Sequence, residues 1–456
     1  MFTARRRLRV VVNIVKVETI ALKAVEGLSS EDFLHCQLPI GFPFLVDRDS
    51  QEIIEPVFRF VWTRHVKDGN FRRNTANAEV SDLKDWYVYL AMFEKVWSDV
   101  CRADIEDYRD LMSKLVSPKT HEHYSLKTVS RRVSTIQEFY RHFNLSGETD
   151  VDVGDRAIEV KARPHDQDAL THIRGGGSRK SSEVLPVQEN APDDEVRAMS
   201  SRQYQLIANV LGPTPGLDPE DRRPVRDRLW AELCIHTGLR PGEPERLTIY
   251  DILDLSPQNP TNPLGITYLG IRGKGGKFRK VELPNQVLVW LHGYIENERE
   301  EAIAEGVRRG HISARSKPSS LFLNHTSAGQ HAGNPMRYQT FHDVFANAVK
   351  TAASSGGQSA GLLRTVIKTD PDTTEKYTVR EPNFSPHCLR HTFAVWYYLG
   401  ERAAGNAEPW KKLQVLLGHA HLETTTNTYL RVAGEFEAMV SDRVTEHLAG
   451  LLRLAR

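Results

Sequence analysis

Residues 150 to 195 hold Gly175-Gly176-Gly177, many charges and scattered Ser and Pro, with little periodicity. Such a stretch offers no continuous apolar face to bury, so it reads as a linker with room for one short β element. It therefore divides the chain into two folding regions. The length of 456 residues agrees, since domains run at roughly 100–200 residues. The expected division is an N-terminal extension at 1–77, a helical domain at 78–149, a linker at 150–197 and a second domain at 198–456.

The helical domain is read from its stripes. Leu83, Trp86, Tyr87, Leu90, Phe93 and Trp97 recur at steps of three and four, with Ser81 as the expected N-cap. A short helix should carry Ile105, Tyr108, Leu111 and Met112. A third, from Ser125, stripes Val129, Val133, Ile136, Phe139, Tyr140 and Phe143. Its other face holds Lys127, Arg131, Arg132 and Arg141, which suit either a solvated surface or contact with DNA phosphates. Residues 1–77 mix β-like runs such as Leu8 to Val17 with aromatic and basic residues, and no fold is assigned to them. In the second domain, ITYLGI and KFRKVELP flank Gly273-Lys274-Gly275-Gly276 and predict a β-hairpin. Helices are expected from Val287 to Arg308 and from Gln339 to Ala353, followed by a polar, Gly-rich stretch from Ser354 to Phe384. The fold class is mainly α with a small β-sheet or hairpin in the second domain (α+β).

The formal net charge of +1 does not by itself point to nucleic acid, although segregated charge would be compatible with it. Cys36, Cys101, Cys234 and Cys388 are far apart and form no C-x-x-C pair, so buried free thiols are expected rather than a disulfide framework or zinc knuckle. The basic, then apolar start is interrupted by Asn13, Lys16 and Glu18, which argues for a strand rather than a signal peptide. No apolar run approaches the ~20 residues that span a bilayer. A cytoplasmic protein without a membrane partner is expected.

Four segments of the second domain carry candidate chemistry. HTGLRPGEPERL holds Arg240, with Glu243 three residues on; GKGGKFRK holds Lys274; SPHCLRHTFAVWYYL holds His387 and Arg390; LLGHAHLETTTNTYLRV holds His419 and, ten residues later, Tyr429. Each has an ordinary alternative: a helix-cap arginine, a polar hairpin lysine, a chance His-x-x-Arg, a packing tyrosine. Gly273-Lys274-Gly275 lacks the spacing of a nucleotide phosphate loop. His387 and His391 have the i, i+4 spacing of a zinc pair, and His121 with His123 is an isolated pair with no third ligand in view. Tyr397 and Tyr398 are expected in the core.

In this order, over about Ser200 to Arg431, the segments resemble the catalytic domain of the tyrosine recombinase (phage integrase) family. The helical domain at 78–149 looks like that family's core-binding domain, and 1–77 is a candidate accessory or arm DNA-binding domain. The resemblance implies a site-specific DNA recombinase, an integrase or transposon recombinase of a mobile element, working through a 3′-phosphotyrosine link without cofactor or metal. It makes Tyr429 the nucleophile, with Arg240, Lys274, His387, Arg390 and His419 around the scissile phosphate. His391 inside the His-x-x-Arg-His box makes the zinc reading unfavourable.

The chemistry accounts for these residue types. Arg240 and Arg390 offer planar, permanent charge to phosphate oxygens as negative charge grows on them. A tyrosine hydroxyl, with a pKa of about 10, needs a base, for which His387 is the first choice. Lys274 suits protonation of the leaving 5′ oxygen, His419 a hydrogen bond to phosphate, and Glu243 support of His387 or an arginine. The implied partners are double-stranded DNA with specific sites, further copies of the chain in a tetramer, and accessory proteins or partner recombinases, at the bacterial nucleoid. The amphipathic stretch with Phe436, Met439, Val440, Val444, Leu448 and Leu451 is expected to pack on its own domain or on a neighbouring subunit. Alternatives are a type IB topoisomerase-like enzyme and a catalytically silent DNA-binding protein of the same fold.

Overall fold

The structure, a computed structural model, describes residues 12–16, 38–39, 41–67, 71–157, 180–182, 196–216, 220–221, 223–257, 262–273, 276–355, 361–419 and 429. The chain divides into two compact units: Met1–Ala191 with Lys368–Tyr377, and Pro192–Ile367 with Thr378–Arg456. Among the described residues the elements are mostly helices, with four two-stranded sheets.

In the first unit, β1 (Val12–Lys16) pairs antiparallel with β2 (Pro43–Asp47). Helices α1 (Glu55–Trp62), α2 (Arg73–Met92), α3 (Arg102–Lys114) and α4 (Leu126–Leu145) follow. The stripe Val129, Val133, Ile136, Phe139, Tyr140 and Phe143 is buried along α4, and Ser125 caps that helix by accepting from the Thr128 N–H at 3.2 Å. The same core takes in Phe42, Leu45, Val57, Phe60 and Val61, so the expected boundary at residue 77 falls inside it. Ser81 is not an N-cap: α2 begins eight residues earlier, because Ala76 and Val80 extend its buried face toward the N-terminus. Trp97 lies beyond α2 in a turn, yet it packs edge-on against Phe139 and Phe143.

The buried polar atoms of this core are linked in series. The Trp86 indole N–H donates to the Tyr140 hydroxyl at 3.1 Å, which donates to the Trp97 carbonyl at 2.9 Å. The buried Asp82 carboxylate accepts from Arg131 and, at 3.0 Å, from the Thr135 hydroxyl.

The second unit, after the short β3 (Asp155–Ala157) and β4 (Lys180–Ser182), opens with α5 (Ser201–Leu211) and α6 (Arg226–Thr237). Leu229 to Ile235 are all buried, so α6 is the central helix of its core. After α7 (Tyr250–Leu253), β5 (Ile266–Arg272) and β6 (Phe278–Pro284) form the expected hairpin in antiparallel register, Leu269 opposite Val281. The helix expected to begin at Val287 is two helices, α8 (Asn285–Glu296) and α9 (Glu298–Arg308), meeting at Asn297, and α10 spans Tyr338–Ser354. The polar stretch after it contains a second hairpin, β7 (Leu363–Thr369) with β8 (Lys376–Pro382), of which Lys368–Tyr377 belongs to the first unit. Its strands bury little, which is why period-two alternation was absent from the sequence. Helices α11 (His387–Ala403) and α12 (Pro409–Leu417) complete the described part. Cys234 and Cys388 are buried thiols as expected, whereas Cys101 is exposed at the start of α3, where the Asp104 carboxylate accepts from its backbone N–H at 2.9 Å. Among the described residues no helix is long and apolar enough to cross a membrane.

Tyr140→Phe removes the middle of the polar relay and takes away the acceptor of the buried Trp86 indole N–H. We expect a loss of about 1–3 kcal/mol, measured by urea unfolding followed through tryptophan fluorescence. An unchanged midpoint would show that the relay holds nothing together.

Candidate active site

The site is built where two helices end. Helix α6 stops at Gly238, whose φ of 68° lies in the left-handed region and where a Cβ would stand 2.4 Å from the Phe393 ring. The chain then turns so that Leu239 is buried and Arg240 half-buried. The Trp230 indole fixes this turn by donating to the Pro241 carbonyl at 2.9 Å. Helix α12 stops in the same way at Gly418, with φ 67°, and delivers His419.

The last carbonyls of a helix have no partner within it and form the negative end of its dipole. Here two arginines satisfy them. Arg390, the fourth residue of α11 and only 2% exposed, donates to the Gly238 carbonyl and to the Leu417 carbonyl, each at 2.7 Å. Arg279, on β6, donates to the Leu416 carbonyl at 3.1 Å. Arg390 also donates to His419 Nε2 at 3.2 Å. A guanidinium cannot accept, so Nε2 accepts and the neutral imidazole carries its proton on Nδ1.

Glu243 gathers the remaining charges. It accepts from the Arg240 backbone N–H at 2.8 Å and from its guanidinium at 3.1 Å, and takes a two-point grip from Arg279 at 2.9 and 2.6 Å. Burial alone would raise its carboxyl, but Arg279 and Arg240 hold it below the usual range. Glu243 therefore supports arginines and not His387. Three guanidiniums and one carboxylate leave this cluster with excess positive charge, the balance that suits an anionic ligand.

The imidazoles are held neutral. Burial, then the charges of His387, Arg390 and His419, push His391 down to about 4. Burial and the arginines at 390, 240 and 279 push His419 down to about 4. His387, at the start of α11 and open to solvent, is also lowered, by desolvation and by Arg390 and Arg240. Burial pulls Arg390 down to about 10, so it stays charged at neutral pH.

Tyr429 is 1% exposed and packs in a small apolar cluster with Phe393, Ala394, Leu413 and Leu417. Its hydroxyl lies 3.0 Å from His391 Nδ1, with the rings 5.5 Å apart. Burial raises its phenol while Arg390 draws it back down. Of the expected site residues, Arg240, Glu243, Arg390, His419 and Tyr429 thus share one network or lie against it, and His387 borders it through His391 at a ring separation of 5.4 Å. Lys274 lies outside the described residues, as do Thr424 to Thr426 and the stretch after Tyr429. Tyr398 is buried as expected, and Tyr397 donates to Glu282 at 3.1 Å.

Sequence reasoning missed two members. Arg279 has the same strand parity as the buried Val281 and Leu283, and an arginine on an inward face requires a partner. In the sequence His391 stands out only as half of a histidine pair with zinc spacing; among the described residues no group of three His, Cys, Asp or Glu could hold a metal. In the first unit, Arg131 pairs with Asp82, Arg132 with Asp85 at 2.9 Å, and Arg141 with Glu138 at 2.5 Å. Arg132 also lies over the Tyr124 ring at 4.4 Å, so packing accounts for it, while Lys127 is exposed.

His391 and His419 titrate near 4 in the folded chain against 6.5 when free. The unfolded chain therefore binds protons first as pH falls, and the stability present above 6.5 is lost on the way down to 4. Thermal midpoints should drop across the upper half of that window, and the drop should be shallower in His391→Asn/His419→Asn. Identical slopes for the variant and the parent would refute this assignment.

The phage integrase family model matches residues 199–435. Transposase A from transposon Tn554 of Staphylococcus aureus is 22% identical over 409 residues, covering 87% of this chain and 92% of its own length. Tyrosine recombinase XerD of the same species is 25% identical over 375 residues, covering 82% and 92%. Among solved structures, XerH site-specific recombinase bound to palindromic difH substrate gives a TM-score of 0.47 at 16% identity, over 81% of this chain and 79% of that one. A lambda integrase dimer bound to a COC′ core site gives 0.46 at 14% identity, over 82% and 94%. The matched segment spans the arginine cluster, the α11 box and Tyr429, and the chain belongs to the phage integrase family of tyrosine site-specific recombinases, enzymes that cut and rejoin DNA strands.

Proposed function

We propose that Tyr429 is the nucleophile of a site-specific recombination reaction on double-stranded DNA. The observation that carries this reading is the placement of its hydroxyl against His391 and beside the buried, charged Arg390. The phenol oxygen bonds to phosphorus, the bond to the 5′ oxygen breaks, and a 3′-phosphotyrosine link and a free 5′-hydroxyl result. A 5′-hydroxyl from a partner strand reverses the step. The bond energy stays in the covalent link, so the balance needs no ATP.

Arg240 and Arg390 stabilise the charge that grows on the non-bridging oxygens, and His419 donates to one of them through Nδ1. Lys274, on the loop joining β5 and β6, protonates the leaving oxygen. Arg279 and Glu243 are positioning residues that act through Arg240 and the end of α12. In the first unit, Lys127, Arg131 and Arg141 contact DNA phosphates, the arginines by exchanging or sharing their carboxylate partners. The biological role is that of a mobile-element recombinase working as a tetramer on two sites. The transposase relative, aligned over 92% of its length, supports the mobile-element reading.

A suicide substrate taken from DNA flanking the gene and nicked near the crossover should trap protein covalently on a 3′ end without added metal. The band should vanish with Tyr429→Phe. A surviving band would assign the chemistry to another tyrosine, and specific binding without any band would favour a DNA-binding protein of this fold.

Arg279→Lys keeps the charge but loses the planar two-point grip on Glu243. Covalent-complex formation should slow by about 10²-fold, as expected when a catalytic group is misplaced by about 1 Å, with DNA affinity nearly unchanged. Parental rates in this variant would remove Arg279 from the positioning network.

A further inference from the structure

Accepting Tyr429 as the nucleophile, we infer that His391, and not His387, is the group that takes its hydroxyl proton. The argument rests first on contact. His391 Nδ1 lies 3.0 Å from the phenol oxygen, whereas His387, one helical turn earlier, is open to solvent and meets the cluster through its ring contact with His391.

It rests next on donor and acceptor counting. A phenol oxygen carries one proton. Among the described residues, the groups that act on it are the Arg390 and Arg240 guanidiniums and the His391 imidazole. A guanidinium has no lone pair to offer, so neither arginine can take the phenol proton. Of these groups the His391 imidazole is the one that can accept, and the phenol proton is directed at its Nδ1. An acceptor Nδ1 requires a neutral ring, and that is the form this environment favours: His387, Arg390 and His419 surround it with positive or potentially positive groups, and burial disfavours its charged form further.

The step balances within these atoms. The phenol O–H bond breaks and its proton moves to Nδ1. The phenol oxygen forms the bond to phosphorus, and the 5′ oxygen departs with a proton from the acid on the β5–β6 loop. The imidazolium formed lies near a phosphate whose negative charge offsets it, and it returns the proton to Tyr429 when the link is reversed. Arg390 opposes the burial that raises the phenol, and His391, neutral at neutral pH, keeps Nδ1 free to take the proton. Arg390 and His391, adjacent on α11, would thus divide the work: one stabilises the phenolate, the other removes its proton.

The test uses the full-length protein and the nicked suicide substrate, following covalent-complex formation in single turnover. Asparagine presents a polar atom near the place of Nδ1 and can keep the hydrogen bond without acting as a base. His391→Asn is expected to bind DNA as the parent does and to cleave about 10²–10⁴-fold more slowly. Its rate should climb with pH as hydroxide or solvent replaces the imidazole. A fluorinated tyrosine incorporated at position 429, more acidic than tyrosine, should recover most of the loss in His391→Asn and little of any loss in His387→Asn.

Parental cleavage by His391→Asn would reduce His391 to a spacer and overturn the inference. So would a loss that fluorination leaves untouched, or recovery confined to His387→Asn. A covalent band that persists in Tyr429→Phe would instead overturn the nucleophile assignment on which the inference rests, and the two failures are therefore distinct.

Discussion

The active-site end of the second unit depends on one buried charge. Arg390 is 2% exposed, and an arginine taken out of water costs several kcal/mol unless its N–H groups are met. Here they are met by the last carbonyls of two helices, at Gly238 and Leu417, and by His419. The same contacts satisfy the orphan carbonyls and complement the helix dipoles. Each side of this arrangement satisfies the other, and the ends of α6 and α12 meet around one cation. Segments separated by more than 150 positions in the chain, from Arg240 to His419, are brought to one place by it.

Glu243 does for Arg240 and Arg279 what the carbonyls do for Arg390. By accepting from Arg240 and Arg279 it fixes two guanidiniums that would otherwise repel each other. It does not neutralise the cluster, and the excess positive charge remains for the ligand. The imidazoles respond to that field: near arginines and partly buried, they stay neutral and can accept or donate according to tautomer. The site is thus prepared to gain stability when an anion arrives.

Much of the fold could be read from periodicity. The stripe on α4, the Ser125 cap and the β5–β6 hairpin all follow from local patterns whose period the backbone geometry dictates. The start of α2 and the β7–β8 hairpin did not, for opposite reasons. The first turns of α2 bury Ala76, a residue too small to mark a stripe, and β7 and β8 bury too little to alternate. The packing of residues 42–61 with the helices after them was likewise invisible, because contacts between distant segments leave no periodic trace.

The sequence by itself determined which chemistry is present: arginines, histidines and a tyrosine in a fixed order, with glycines where helices must end. Those are properties of residue type and spacing, and they sufficed for the family. Tertiary structure decided who touches whom. Arg279 and His391 enter the site because β6 and α11 present them to Glu243 and Tyr429, and His387 is left at the edge because it precedes His391 by a full turn. A hydrogen bond is decided by distances of a few ångströms across long loops of chain, and spacing along the chain fixes such distances only within a single helix or hairpin.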